Sequence, residues 1–204
     1  MRRKQFKDSW WWRIRKNFNP LEIIAIDIFQ LDEQKPILTF IDYYTRLVRA
    51  IPLANKEAKE IAKGLEKIIS EIGIPKKLIT DSGKEMASKE MEELTRKYQI
   101  THHKISPEKH QSNGRIERWH RELWQAIRKE LEEKDDIIEL HSKIDSIVAR
   151  HNNSNHRGIK MSPNETWADS SNALLAMQNS KSSNYTQKNL KNYTEKNSRL
   201  EKKF

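Results

Sequence analysis

The sequence predicts an α/β fold, a mixed β-sheet with helices on both faces. Two observations carry this reading. Short apolar runs come first, two of them joined by a tight polar turn, as hairpin-linked strands are. Segments with apolar residues at helical spacing then alternate with further short apolar runs, the order of α/β units. No internal repeat is present.

The elements follow in order. Residues 21–29, "LEIIAIDIF", are short, apolar and rich in Ile, so they read as a buried strand. "KPILTFIDYYTRLVRAIPL" reads as two strands around a turn near Asp42–Arg46. In "NKEAKEIAKGLEKIISEIG" the residues Ala58, Ile61, Ala62, Leu65, Ile68, Ile69 and Ile72 recur at helical spacing. Asn55 is the expected N-cap and Gly73 the expected C-cap. "PKKLIT" is a strand that ends at the turn Asp81-Ser82-Gly83. "SKEMEELTRKY" is a short helix and "ITHHKI" a short strand. Two helices follow, over about Gly114–Glu133 and Asp136–Asn152.

Charge divides the chain into three. Residues 1–20 hold seven Lys/Arg and one acid, a net of +6. Residues 170–204 hold seven Lys/Arg and two acids, a net of +5. The chain's total is +10, so the part between is nearly neutral. The expected organisation is a basic N-terminal extension (1–20), a folded core (21–168) and a basic, largely disordered C-terminal tail (169–204) rich in Asn, Ser and Lys. Basic tails suit binding to phosphate backbones, and equally suit solvated termini. Cysteine is absent, which excludes disulfides, a thiol nucleophile and thiolate zinc sites. No run of eighteen apolar residues suggests a membrane span. The stretch "MRRKQFKDSWWWRIRK" lacks the apolar segment of a signal peptide.

Three acids stand out by position. Asp27 interrupts an apolar strand between Ile26 and Ile28, where an unpaired charge is costly. Asp81 closes the fourth strand, outside whose carboxyl end α/β sheets bind ligands. Glu117 lies in the first turn of a helix, among Arg115, Arg118, Arg121 and Arg128. Gathered together they would repel one another, and divalent cations with a preference for hard oxygen ligands would relieve the repulsion. With 29 acids in the chain, a spaced triple alone carries little weight; a surface ion pair or a loop cap is the plainer role for each.

The words around these acids are more specific. "AIDIF", "ITDSGKEMAS", "HQSNGRIERWHREL" and "HNNSNHRGIKMSPNETW" occur in this order, with 35 residues between Asp81 and Glu117. Asn152, His156, Pro163 and Glu165 follow in register. Over about residues 21–168 the chain resembles the catalytic core of retroviral and long-terminal-repeat retrotransposon integrases, the D,D-35-E polynucleotidyl transferases. The resemblance implies a ribonuclease H-like fold, with a five-stranded mixed sheet whose first three strands are antiparallel. It implies that Asp27, Asp81 and Glu117 are catalytic and bind two Mg²⁺ or Mn²⁺ ions. It implies nicking of DNA ends and transfer of the 3′-hydroxyl strand into target DNA, by a dimer or higher oligomer working in the nucleus. No zinc, membrane or secretion is expected.

Neighbouring residues fit a DNA-facing role. Glu117, Arg121, Trp124 and Arg128 recur along one helix face, while Ile116, Leu123, Ala126, Ile127 and Leu131 lie mainly on another. Arg121 is expected on DNA phosphate and Trp124 to stack or pack, with Arg128 beside them. The resemblance brings Gln111, Ser112 and Asn113, in the loop Ser106–Gly114, to the DNA end. Glu108, His110, Met86 and His151 depart from the family's usual residues; the first two put the loop's DNA contacts in doubt, and the others read as packing changes. His102-His103 lacks metal spacing. The sequon Asn152-Asn153-Ser154 reads as chance. Two other classes compete: a truncated or domesticated core acting as a non-catalytic DNA-binding or dimerisation module, and a nuclease of RNA–DNA hybrids. The 35-residue spacing speaks against the latter.

Overall fold

The computed structural model describes residues 19–30, 36–105, 114–130 and 137–169. Expectations for 1–18, for the loop 106–113 and for the tail from 170 lie outside the described residues. The elements are β1 (Ile23–Gln30), β2 (Pro36–Asp42), β3 (Val48–Pro52), α1 (Ala58–Ile72), β4 (Lys77–Thr80), α2 (Lys89–Lys97), β5 (Thr101–Lys104), α3 (Gly114–Glu130), α4 (Ile137–Asn153) and α5 (Pro163–Ala168).

The strands lie in the order β3-β2-β1-β4-β5. The first three in sequence are antiparallel; β4 runs parallel to β1, and β5 to β4. Central β1 is covered on both faces, which is why it reads as a continuous apolar run. Ile24 and Ile26 join Leu38, Phe40 and Leu78 under α1 and α2. Ile23 and Ala25 join Ile37, Ile41 and Ile79 under α3 and α4, where Trp119 and Leu123 are buried. Strand alternation therefore puts Asp27, two residues beyond Ala25, on the α3 side of the sheet.

Boundaries shift for local reasons. Leu21 adopts φ 63° and donates its N–H to Asp42 Oδ2 at 3.0 Å, so β1 starts at Ile23. The N-cap of α1 is Glu57, without a side-chain cap bond. Asn55 instead accepts the Glu57 N–H at 2.9 Å, turning the chain before the helix. Gly73 does cap the other end, at φ 101°, where a Cβ would meet Leu21 Cδ1 at 2.9 Å.

Helix α5 adds an element to those the sequence predicts. Pro163 opens it, Ser162 Oγ accepts the Glu165 N–H at 3.2 Å, and Glu165 Oε2 accepts the Ser162 N–H at 2.7 Å. The Ser162 N–H, and next the Ser162 hydroxyl donating to the same Oε2 at 2.8 Å, hold the Glu165 carboxyl below its ordinary pKa. Asn152 completes the framework. Its side chain accepts from Val48 N and donates to Val48 O, both at 3.0 Å, as a neighbouring strand would on this edge. The downstream Asn/Pro/Glu signature thus builds the scaffold, and buried Asn152 is no glycan acceptor. Ser162→Ala should cost about 1 kcal/mol, read as a lower denaturation midpoint at unchanged m-value.

Candidate active site

Two aspartates of the sheet meet the same burial problem differently. Asp42 is fully buried, and its carboxylate accepts four hydrogen bonds. They come from Leu21 N at 3.0 Å, Tyr44 N at 3.0 Å, Thr45 N at 2.7 Å and Thr45 Oγ1 at 2.8 Å. Burial still raises its pKa, against those bonds. It holds the β2–β3 turn together. Asp27 accepts one bond among the described residues, from its neighbour Ile28 N at 2.8 Å. Its pKa is pushed up to about 7, first by burial and next by the charge of Asp81, with Glu117 adding to the rise. A carboxylate left this poorly solvated suits a ligand better than a framework.

Strand register and helix start bring the other two acids to it. Ala25 pairs with Ile79 across β1 and β4, so Asp81, two residues on, follows Asp27 at the strand ends. Asp81 is exposed and its Oδ1 accepts the Gly83 N–H at 3.1 Å. A Cβ on Gly83 would lie 3.1 Å from that oxygen and 2.9 Å from Glu85 Oε2, so a fourth acid folds over the same turn. Glu117 is exposed in the first turn of α3, next to buried Ile116. The three carboxylates share one electrostatic neighbourhood. Among the described residues, however, no three His, Asp or Glu side chains are grouped closely enough to hold one metal ion.

Sequence reasoning missed His120 and Thr39. Thr39 lies opposite Asp27 on β2 and donates its hydroxyl proton to the Asp27 carbonyl at 2.8 Å. That hydroxyl has one proton, so the 2.6 Å contact to His120 Nε2 makes Nε2 the donor. Nδ1 is then an unprotonated acceptor, 3.8 Å from Asp27 Oδ2. Burial lowers the His120 pKa to about 4, so at neutral pH the ring brings no charge to offset Asp27. The only available signal was His120 three residues after Glu117, one helical turn along the same helix.

The expected DNA-facing residues of α3 are exposed: Arg121, Trp124 and Arg128. The Arg128 guanidinium lies 4.5 Å over the Trp124 ring, so Trp124 packs on a cation and not on the core. Gln111, Ser112 and Asn113, with Glu108 and His110, lie outside the described residues. Met86 is buried in the α1/α2 layer. His151 packs against Trp119, at 4.7 Å between ring centroids, and its Nδ1 is 3.2 Å from Glu122 Oε2. Both are structural. His102 Nε2 meets Thr80 Oγ1 at 2.9 Å within the sheet. No helix among the described residues is long and apolar enough to cross a membrane.

Comparison with known proteins agrees with this architecture. Residues 19–110 match the family model described as "Integrase core domain". The Retrovirus-related Pol polyprotein from transposon opus of Drosophila melanogaster is 25% identical over 155 residues, 74% of this chain and 15% of that protein. The corresponding polyprotein from transposon 412 is 37% identical over 92 residues, 45% of this chain and 7% of that protein. The chain thus spans a small part of these relatives. In fold it is similar to the HTLV-2 integrase catalytic core domain in complex with magnesium, dimeric form. The TM-score is 0.57 at 19% identity, covering 67% of this chain and 90% of that one. A chain of the simian T-cell lymphotropic virus intasome, solved with a PP2A regulatory subunit, gives 0.68 at 18% identity, covering 76% and 57%.

Proposed function

Because residues 19–110 carry an integrase core domain, we propose that the protein is a polynucleotidyl transferase of DNA integration. It nicks DNA ends and transfers the 3′-hydroxyl strand into target DNA. The observation that carries this reading is Asp27, a half-buried carboxylate that accepts one hydrogen bond among the described residues and faces the charges of Asp81 and Glu117.

The donor set is all carboxylate oxygen and fits a hard divalent cation. Asp27, Asp81 and Glu117 would hold it. Two such ions, Mg²⁺ or Mn²⁺, supply activation of the attacking oxygen and stabilisation of the leaving oxygen in phosphodiester exchange. The chain's own groups position the substrate. Ile28 N and the Thr39–His120 pair fix the Asp27 segment. Arg121, exposed one turn beyond Glu117, contacts a DNA phosphate, and the Trp124–Arg128 stack offers a platform to a base. Gln111, Ser112 and Asn113 approach the DNA end. The nucleophile is water in nicking and a DNA 3′-hydroxyl in joining.

In this reading 21–168 is the catalytic unit, and the basic segments 1–20 and 169–204 add non-specific DNA affinity. The protein acts in the nucleus as a dimer or larger assembly. The HTLV-2 core is described in dimeric and trimeric forms, which supports association. The test is a disintegration assay with the full chain, a branched DNA substrate and Mn²⁺ or Mg²⁺. Metal-dependent joining is the expected result. A folded, oligomeric chain that joins nothing would favour the non-catalytic DNA-binding module.

A further inference from the structure

The same pairing of threonine and histidine stands at the carbonyl of each strand-borne aspartate. Thr39 Oγ1 donates to Asp27 O at 2.8 Å and meets His120 Nε2 at 2.6 Å. Thr80 Oγ1 donates to Asp81 O at 2.8 Å and meets His102 Nε2 at 2.9 Å. Both threonines are fully buried. Each hydroxyl has one proton, engaged by a carbonyl, so each ring donates Nε2–H to it. A neutral imidazole then carries its lone pair on Nδ1. As braces for the two strand ends, the pairs are alike.

The His120 pair does more. Its Nδ1 lies 3.8 Å from Asp27 Oδ2, beyond hydrogen-bond reach. The Phe29 ring packs against the imidazole, 5.4 Å between centroids and tilted by 57°, and the His120 side chain is only 17% exposed. The ring has little room to turn away. Asp27 Oδ1 accepts the Ile28 N–H at 2.8 Å, while Oδ2 receives no donor among the described residues. An imidazole of the opposite tautomer would carry its proton on Nδ1, on the side of Oδ2, and be drawn into a charge-assisted bond with it. Thr39 prevents this by engaging Nε2–H. A carboxylate oxygen kept free of protein donors suits a hard cation.

We propose that Thr39 fixes the His120 tautomer and thereby keeps Asp27 Oδ2 open to a divalent cation, which makes both residues positioning residues of the metal site. The proposal rests on the metal-dependent reading above and assigns one oxygen within it. Its test needs no DNA. NMR of the imidazole nitrogens in the metal-free full chain reads the tautomer of His120, assigned by the signal lost in His120→Gln. Binding of Mn²⁺ is followed by the electron paramagnetic resonance of the free ion. The variants are Thr39→Val, which removes the hydroxyl at nearly the same shape, and Thr39→Ser, which keeps it. Asp81→Asn marks the Mn²⁺ bound at the carboxylates.

Wild type should show Nε2–H. Thr39→Val should show Nδ1–H and bind Mn²⁺ about 10- to 100-fold more weakly. Thr39→Ser should match wild type in both. Nδ1–H in wild type overturns the proposal without any variant. Weaker Mn²⁺ binding in Thr39→Val with the tautomer unchanged, or equal weakening in Thr39→Ser, also overturns it. A lower metal-free thermal midpoint at wild-type Mn²⁺ affinity makes the pair a brace and nothing more. Mn²⁺ binding that depends on Asp81 but not on Thr39 sinks this proposal alone. Binding that depends on both, in a chain that joins no DNA, leaves it standing and sinks the transferase. A wild-type chain without Mn²⁺ affinity sinks both.

Discussion

Asp81→Asn should abolish metal-dependent DNA joining, by about 10³-fold or more, roughly 4 kcal/mol of barrier at about 1.36 kcal/mol per decade. The substitution is mild for the fold. Asp81 is exposed beyond the end of β4, and among the described residues its Oδ1 accepts one hydrogen bond, from Gly83 N. The amide oxygen of Asn can accept the same bond, so the turn survives. One negative charge and one cation-binding oxygen are lost. If Asp81 serves only as a turn cap, the variant should work as well as wild type. If it holds a divalent ion, joining disappears while circular dichroism, oligomeric state and metal-free DNA binding persist. Joining at the wild-type rate in the disintegration assay would remove Asp81 from the catalytic set, and with it the two-metal reading.

What the sequence made legible depended on the range of the interaction. The Ile-rich β1 and the helical spacing in α1 are local patterns, and the fold keeps both. Gly73 was legible because a positive φ demands it. Asn55 misled because an Asn before a helix can cap it or turn the chain, and only the backbone decides. Helix α5 was written in "SPNE" as a capping box, but six residues carry too little periodicity to stand out. Asp42 was legible only as a turn residue, and Thr39 and His120 were missed. The contacts of Thr39 and His120 come from cross-strand register and from α3 lying over the sheet, and with the Leu21–Asp42 bond they span 12 to 81 residues of chain.

Asp27→Asn should have opposite effects on activity and stability. Joining is lost, as for Asp81→Asn, but the metal-free chain becomes more stable. The Asp27 carboxyl is held at about 7 against an ordinary 3.8, so between these values the folded chain binds more protons than the unfolded one. Stability therefore falls as pH rises through that window. At about 1.36 kcal/mol for each pH unit of the window, the penalty at pH 7 has a ceiling of about 4 kcal/mol. Because the side chain keeps 24% of its surface exposed, solvent screening reduces this to about 2 kcal/mol. Asn removes the charge, retains an oxygen for Ile28 N and offers an amide donor toward His120 Nδ1. Denaturant melts in EDTA should show the variant ahead at pH 7 and the difference shrinking toward pH 4. Added Mn²⁺ should reverse the order, raising the midpoint of wild type and leaving the variant unmoved. A variant less stable than wild type at pH 7 would mean that the Asp27 charge is compensated inside the fold. Asp27 would then be a framework carboxylate like Asp42, with no unmet charge for a metal ion to balance.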